Sequence, residues 1–104
     1  MSTSPTQLSL DFFRKKCYIC DVVERWIPGA NIRKDLFGFI DILCIKKGEV
    51  VGVQATTYSN VSARVAKIRD HENITAVREA GISIWVHGWR KVDNRWTVRD
   101  IDLS

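Results

Sequence analysis

The sequence contains few cysteines, and they form no recognisable framework. There are three, an odd number at irregular spacing, which argues against a disulfide-rich secreted domain and favours reduced thiols. Cys17 and Cys20 spell CYIC, but positions three apart on a strand face opposite sides of a sheet. No second Cys or His pair follows at the spacing of zinc ligands. We therefore expect no zinc site.

Long apolar runs are absent as well. No charged segment followed by such a run opens the chain, so we expect no signal peptide, no membrane span, no membrane partner and a cytoplasmic protein. We find no internal repeat, and the 104 residues suffice for one hydrophobic core but not for two. These absences predict a single folded domain.

The charge balance is moderately basic. Sixteen Lys and Arg against twelve Asp and Glu give a net charge of +4. A polyanionic partner is compatible with this excess, but many small proteins with the same balance bind no nucleic acid. Charge alone therefore does not identify a partner.

Apolar periodicity predicts the order α-β-β-β-α-α-β-β, which is an α/β domain with a mixed sheet flanked by helices. We expect residues 1–5 to form a flexible tail and residues 6–104 to form the domain. A polar basic loop, without regular structure, is expected to lead from Trp26–Ala30 into the second strand. The predicted elements are a helix from Ser4-Pro5 to about Lys16, strands over Cys17–Glu24, Phe39–Ile45 and Val50–Ala55, helices after Ser59 or Asn60 and over Asn73–Ala80, and strands over Ile82–Trp89 and Arg95–Ile101.

Two polar residues, Asp41 and Gln54, interrupt the apolar second and third strands. A two-residue Lys47-Gly48 turn and a four-residue KKGE loop both place Asp41 directly across from Gln54, with Cβ atoms about 5 Å apart. An ionised carboxylate in such a strand is costly unless it is paired or binds a cation. Asp41 is therefore either hydrogen-bonded to Gln54 at a sheet edge or part of a hard-metal site with carboxylate, amide and carbonyl oxygens.

These residues resemble a known family. A helix, a three-strand meander, a helix and a strand, with Asp in the second strand and a polar motif ending the third, is similar to the PD-(D/E)XK nuclease superfamily. The stretch GFID is similar to the Gly-x-x-Asp of archaeal-type Holliday junction resolvases. DLFGFIDIL followed by GVQATTYSNVSARVAKI resembles small phage and bacterial resolvase-like proteins. The resemblance covers residues 6–90 and implies a restriction-endonuclease-like domain in the cytoplasm of a bacterium or a phage-infected host.

The resemblance also implies a metal site. Asp41, Gln54 and the backbone carbonyl of Ala55 would hold Mg²⁺, for which Mn²⁺ can substitute. The chain departs from the superfamily at two positions, because Gln54 stands where Glu or Asp is usual and Thr56 where Lys is usual. A neutral Gln removes one negative charge, and Thr cannot act as an ammonium group.

Two residues are candidates to replace these missing charges. Glu24, at the end of the first predicted strand, can restore the anion as a metal ligand, or it can pair with Arg25, Arg33 or Lys34 instead. Lys67, on the helix after the third strand, can supply the cation from a different backbone position. Asp41, Gln54, Glu24 and Lys67 are thus the predicted catalytic residues.

Basic and hydroxyl side chains near this motif are candidates for nucleic-acid binding. Arg64 and Lys67 lie one turn apart on a helix and either bind DNA or form a solvated face. Ser62 either bonds phosphate or caps the helix. Arg33 and Lys34, before the second strand, either contact phosphates or are solvated loop charges.

The aromatic residues of the last two strands have competing interpretations. Trp85, Trp89 and Trp96 fit core or dimer contacts better than base-stacking platforms. His87 shares the Trp85 face and fits a hydrogen-bonded structural histidine better than a general base.

The function that follows is a Mg²⁺-dependent, structure-selective DNA endonuclease, with a Holliday junction as substrate. Symmetric cleavage of a four-way junction needs two sites related by a two-fold axis, so a homodimer is expected. Two alternatives stay open at the level of sequence. One is a catalytically weakened DNA-binding module that keeps the nuclease fold, and the other is a nuclease for nicked, flap or restriction-type substrates.

Overall fold

A mixed five-stranded β-sheet lies at the centre of the structure, which is a computed structural model describing residues 3–104. Helices pack on both faces of the sheet, so the predicted α/β class with a mixed sheet is confirmed. The helices are α1 (Pro5–Arg14), α2 (Val61–Arg69) and α3 (Ile74–Glu79), and a 3₁₀ turn over Tyr58–Asn60 precedes α2. The strands are β1 (Ile19–Val22), β2 (Arg25–Ile27), β3 (Ile32–Lys34), β4 (Ile42–Lys46), β5 (Glu49–Thr57), β6 (Ile82–Val92) and β7 (Arg95–Asp102).

The strand order of the main sheet is β1-β4-β5-β6-β7. β5 and β6 run parallel and are connected through α2 and α3, whereas the other neighbours are antiparallel. A parallel pair needs a crossover, and helices usually provide it. Asp93 and Asn94 form the turn between β6 and β7, and they adopt positive φ angles of 50° and 61°, as a tight primed hairpin turn requires.

Side chains alternate between the two faces of the sheet and build a separate core on each face. On one face, Leu10 and Phe13 of α1 pack on Ile42, Cys44, Val51 and Val53. On the other face, Val61 and Ile68 of α2 and Ile74 and Val77 of α3 pack on Ile84 and Val86. Gly88 allows α2 to approach closely, because a Cβ atom there would collide with Val61.

The predicted register of the β4–β5 hairpin is confirmed. Ile45 pairs with Val50 and Lys46 with Glu49, which leaves Gly48 in the turn with a φ of +78°. Continuing the same register, Asp41 lies opposite Gln54 one step beyond the Ile42–Val53 pair. The alternation of β5 puts both polar side chains on the face that α2 and α3 cover.

A second, two-stranded sheet formed by β2 and β3 was not predicted. The segment from Trp26 to Lys34 was expected to be a break and a polar loop, but Trp26 pairs with Arg33 and Ile27 with Ile32. Its side chains are mostly exposed, so it lacks the buried face that gives a strand its alternating pattern. Pro28-Gly29 suggested only a break, although it lies in the loop of this hairpin.

Helix α1 begins at Pro5, and the Ser4 hydroxyl accepts a 3.1 Å hydrogen bond from the Gln7 backbone N–H. Ser4 is thus a normal N-cap, and the folded part begins before residue 6. Met1 and Ser2, the first half of the expected tail, lie outside the described residues. None of the helices within residues 3–104 has the length and apolar character of a membrane span.

Candidate metal and nucleic-acid site

Asp41 and Gln54 are in direct contact on neighbouring strands. Gln54 Nε2 donates a hydrogen bond of 2.7 Å to Asp41 Oδ2, and the Ala55 backbone N–H donates another of 3.0 Å to the same oxygen. Both side chains are only 4% exposed. The two hydrogen bonds occupy one carboxylate oxygen of Asp41, so its other oxygen is available to face different partners.

Three successive hairpin registers bring two further acids to Asp41. In the β2–β3 hairpin Arg25 pairs with Lys34, and one step further Glu24 lies beside Asp35. The next loop is closed by an antiparallel bridge between Leu36 and Ile40, and one step beyond it Asp35 lies beside Asp41. The β4–β5 register then pairs Asp41 with Gln54.

Phe37 and Gly38 form the tip of the Leu36–Ile40 loop. Their φ angles are +55° and +93°, and positive values at both central residues are what a primed turn requires. A Cβ atom at Gly38 would also collide with the ring of His71. Gly38 therefore has a local structural role, because it lies in the turn that reverses the chain and brings Asp41 beside Asp35.

The resulting cluster has a composition suited to a hard cation. Glu24, Asp35 and Asp41 each offer a carboxylate oxygen, and these three oxygens lie within 4.8 Å of one another. Glu24 Oε1 also accepts a 3.2 Å hydrogen bond from Arg33 Nη1, which makes the two residues an ion pair. Glu24 therefore contacts Arg33 and lies beside the other two acids at the same time. Carboxylate oxygens are the ligands that Mg²⁺, Mn²⁺ and Ca²⁺ prefer.

The electrostatics of Asp41 are those of a carboxyl group that lacks a counter-charge. Burial, followed by the neighbouring Asp35 carboxyl, raises the pKa of Asp41 to about 8. The hydrogen bond from Ala55 lowers the pKa but does not compensate. In the absence of a cation, Asp41 therefore keeps a proton at neutral pH.

One atom of Gln54 gives an independent indication of a cation. Its amide oxygen Oε1 is the only buried side-chain oxygen or nitrogen within residues 3–104 that lacks a hydrogen-bond partner. An unsatisfied buried carbonyl is costly, and an amide oxygen is also a ligand for a hard cation. The carboxylate oxygens of Glu24, Asp35 and Asp41 fit a divalent metal such as Mg²⁺, and the neighbouring Gln54 side chain carries a further unpartnered oxygen.

Basic side chains line the same cleft, which has a volume of about 380 Å³. Arg64 and Lys67 of α2, Arg33 of β3 and Thr6 of α1 border it together with the four oxygen donors. Lys67 is exposed and Arg64 half-buried. The cleft therefore places three cations next to three acids.

Other predicted residues do not join this cleft. Lys34 lines a separate depression beside Phe37, and Ser62 lines a groove on the other side of α2. Ala55 does border the cleft, and its N–H donates to Asp41. Its carbonyl oxygen, which was predicted as a metal ligand, has no observed contact with the acidic cluster. Thr56 is buried on the Gln54 face, so the position where the superfamily usually has Lys offers no charge.

His87 lies in the other core and is not near Asp41. Its ring stacks on Phe13 at 5.1 Å, and Nδ1 is 3.0 Å from the Ser9 hydroxyl, which also accepts a 2.8 Å hydrogen bond from Trp89 Nε1. Burial lowers the pKa of His87 to about 4. This geometry supports the structural interpretation of His87. Trp89 is also a core residue, whereas Trp96 is 41% exposed.

Asp35 and Thr6 line the cleft but were not predicted from the sequence. Asp35 lies in the loop before β4, and its position follows from the primed turn at Phe37-Gly38, whose signal was a single glycine preceded by an aromatic residue. Thr6 comes from the first turn of α1 and carries no local signal at all.

Comparison of the chain with family models, with curated proteins and with solved structures finds no match. The resemblance to the PD-(D/E)XK superfamily therefore stays a prediction. The interpretation of the site depends on its own geometry.

Proposed function

We propose that this chain is a divalent-metal-dependent nuclease that hydrolyses phosphodiester bonds in DNA. The observation that carries the proposal is the convergence of the Asp41, Glu24 and Asp35 carboxylates in a cleft that Gln54 and basic side chains also line.

The element order supports a restriction-endonuclease-like domain. α1, the meander β1-β4-β5, the crossover through α2 and α3, and the parallel strand β6 follow the order that the resemblance implies. Asp41 immediately precedes the second strand of the meander, and Gln54 lies near the end of the third. The β2–β3 hairpin is an insertion into this plan.

Mg²⁺ is the proposed cofactor, and Mn²⁺ the proposed substitute. Asp41, Asp35, Glu24 and Gln54 would hold it, so that Asp35 and Glu24 supply the negative charge missing at Gln54. When bound, such an ion activates water and neutralises charge that develops on the leaving oxygen of a phosphodiester.

The basic side chains have a separate role in the proposal. Lys67 and Arg64 extend from α2 into the cleft, where they would bind and orient the scissile phosphate and balance its charge. Lys67 thereby replaces the ammonium group that Thr56 cannot provide. Arg33 is held by Glu24, which positions its guanidinium at the rim for a neighbouring phosphate.

A second candidate function is a DNA-binding module that has lost most of its catalytic power. It is favoured by the hydrogen bond from Gln54 to Asp41 and by the raised pKa of Asp41, because a protonated carboxyl group that already accepts hydrogen bonds binds metal weakly. Under this alternative the same basic side chains bind DNA and no hydrolysis follows.

Branched DNA is the proposed substrate, with a four-way junction first and nicked or flap DNA as the alternatives. Junction resolution needs two sites, so a homodimer belongs to this proposal. Sedimentation of the purified chain tests that component directly.

The deciding experiment is incubation of the purified chain with labelled linear, flap and four-way DNA in Mg²⁺, Mn²⁺ or EDTA. Symmetric, metal-dependent junction cuts are expected. Tight binding without cuts in either metal would favour the binding module, and cuts confined to flaps or nicks would favour another nuclease. Absence of both binding and cutting would refute the proposal.

A further inference from the structure

Strand β7 separates its charges between the two faces of the sheet. Arg95, Thr97 and Arg99 lie on the face that α2 covers, because they pair with Val92, Arg90 and Gly88. Asp100 and Asp102 lie on the opposite face with His87 and Trp85, where α1 packs. One face of this edge strand is therefore basic and the other acidic.

A groove of about 330 Å³ runs between α2 and β7 on the basic face. Ser62, Arg69 and Arg99 provide its polar lining, and Val61, Val65, Ala66 and Ile101 form the floor. We name this feature the α2–β7 groove. It lies on the side of α2 opposite the Asp41 cleft, which Arg64 and Lys67 line.

A single tyrosine holds two arginines beside this groove. The guanidinium of Arg90 lies 4.0 Å from the ring centroid of Tyr58, and that of Arg99 lies 5.8 Å from it. Cation–π contacts of this kind fix the direction of a guanidinium without neutralising it. Like charges are thus gathered at one place and oriented.

The arginines of this face, Arg69, Arg90 and Arg99, lack acidic partners in the described part of the chain. Across residues 3–104 the ion pairs are Arg33–Glu24 and Lys46–Glu49, so Arg69, Arg90 and Arg99 form none. Ser62, Arg69, Arg90 and Arg99 are all exposed. An oriented cluster of unpaired guanidinium groups next to a hydroxyl is a binding surface for phosphate oxygens.

We propose that the α2–β7 groove binds the phosphate backbone of DNA, as a second DNA-binding surface beside the Asp41 cleft. The inference rests on the proposed function in taking DNA as the ligand. The groove and the cleft flank α2, so a DNA strand or second duplex arm that leaves the cleft across α2 would meet Ser62 near the start of the helix, Arg69 at its end and Arg99 of β7. The β6–β7 ribbon extends the same face, because β5 ends at Thr57, opposite Trp89, while Arg90 and Arg95 lie beyond.

The test measures binding of the full chain to a fluorescent four-way junction and a linear duplex in EDTA, over a range of NaCl concentrations. Arg69→Gln/Arg99→Gln is expected to weaken binding by about 10- to 100-fold at low salt. Each lost phosphate contact lowers the slope of log affinity against log salt by about 0.9, so the slope should become shallower by about two.

Two control variants keep the result interpretable. Lys15→Gln/Lys47→Gln removes the same net charge at exposed positions outside the groove, with Lys47 in the turn at the far end of β4–β5, and should leave the salt slope unchanged. Arg69→Lys/Arg99→Lys keeps the charge and should restore the slope even if the Gln variant folds poorly.

The outcomes separate this inference from the proposed function. An unchanged slope in Arg69→Gln/Arg99→Gln, or an equal change in the Lys15/Lys47 control, overturns the groove whether or not the chain cuts DNA. Binding to vesicles of anionic lipid but not to DNA overturns it as well. A slope change in a chain that cuts nothing in Mg²⁺ or Mn²⁺ supports the groove and contradicts the nuclease.

Discussion

Gln54 donates a 2.7 Å hydrogen bond to Asp41 across the β4–β5 hairpin, and this contact leaves the amide oxygen of Gln54 buried without a partner. A purely structural pair would satisfy both ends of the amide. A cation that interacts with both side chains, as proposed, would satisfy the orphan oxygen and lower the pKa of Asp41.

Asp41→Asn separates a metal site from a structural pair. Asn retains an oxygen for the Gln54 and Ala55 donors and presents its amide NH₂ to Asp35, so repulsion in the metal-free cluster is relieved. We expect the free energy of unfolding at pH 7.5 without metal to rise by about 1–2 kcal/mol. DNA binding should persist, and cleavage should fall by several orders of magnitude.

Urea unfolding and a junction-cleavage assay check this prediction, and a chain treated with EDTA provides the control. A variant destabilised by about 3 kcal/mol or more would show that Asp41 serves a buried pair instead. A variant that folds and cuts normally would refute the assignment of Asp41.

The stability of the metal-free chain should depend on pH in a direction set by Asp41. Its pKa is about 8 when folded, against an ordinary 3.8, so the folded chain keeps a proton that the unfolded chain has lost. Between about pH 4 and pH 8 this group therefore makes stability fall as pH rises. Mg²⁺ should raise the melting temperature more at pH 8.5 than at pH 6, as measured by thermal unfolding with and without the ion.

The Asp41–Gln54 pair could be predicted from the sequence, because the position of a hairpin turn determines which residues of its two strands face each other. A short turn at Lys47-Gly48 fixes the partner of every residue in β4 and β5, and a polar pair inside two apolar strands is easy to recognise. Helix α2 is readable for a similar reason, because its buried residues Val61 and Ile68 are seven positions apart, which is two turns of a helix.

The positions of Glu24 and Asp35 could not be predicted, because the elements that carry them bury few apolar side chains. The β2–β3 hairpin carries exposed side chains and so has no hydrophobic alternation, yet its register brings Glu24 and Asp35 together. The position of Asp35 depends on the positive φ angle of Phe37, which a non-glycine residue adopts only when the surrounding structure imposes it. Glu24 lies near Asp41, but it follows β1 and does not end that strand as predicted.

Lys67 should matter for chemistry and Lys34 should not. Lys67→Ala removes a cation from the cleft, so single-turnover cleavage at saturating DNA should fall by about 100-fold, and the salt slope of binding should become shallower by about 0.9. Lys34→Ala removes an equal charge that lies outside the cleft and is the matched control. Equal cleavage rates for the two variants would show that Lys67 is only part of a solvated helix face.

His87 gives an opposite pH dependence that can be isolated in the Asp41→Asn background. Its pKa is about 4 when folded, against an ordinary 6.5, so the unfolded chain binds the extra proton. The contribution of His87 is fully present above pH 6.5 and is lost as pH falls towards 4, by about 3 kcal/mol in total.

Urea unfolding at pH 4.5, 5.5 and 6.5 measures this slope. Adding His87→Gln to the Asp41→Asn chain should flatten it, since Gln does not titrate. A slope that survives the second substitution would assign the effect to other groups. NMR detection of His87 titrating near pH 6.5 in the folded chain would contradict its buried, neutral state.

Gln54→Glu restores the acid that the PD-(D/E)XK resemblance leads one to expect, and it tests the metal site and the weakened-module alternative together. The change adds a fourth carboxylate to the cluster and removes the donor to Asp41, so the metal-free chain should lose about 1–3 kcal/mol of stability. Mg²⁺ should more than compensate, because cation affinity rises with ligand charge, and half-maximal stabilisation should need about tenfold less Mg²⁺ than in the parent.

Gln54→Met, of similar shape but without an oxygen ligand, should respond to Mg²⁺ less than the parent does. Cleavage in both the parent and Gln54→Glu supports the nuclease, whereas cleavage that arises only in Gln54→Glu identifies the parent as a binding module. Equal destabilisation of Gln54→Glu with and without Mg²⁺ would show that no cation binds between Asp41 and Gln54.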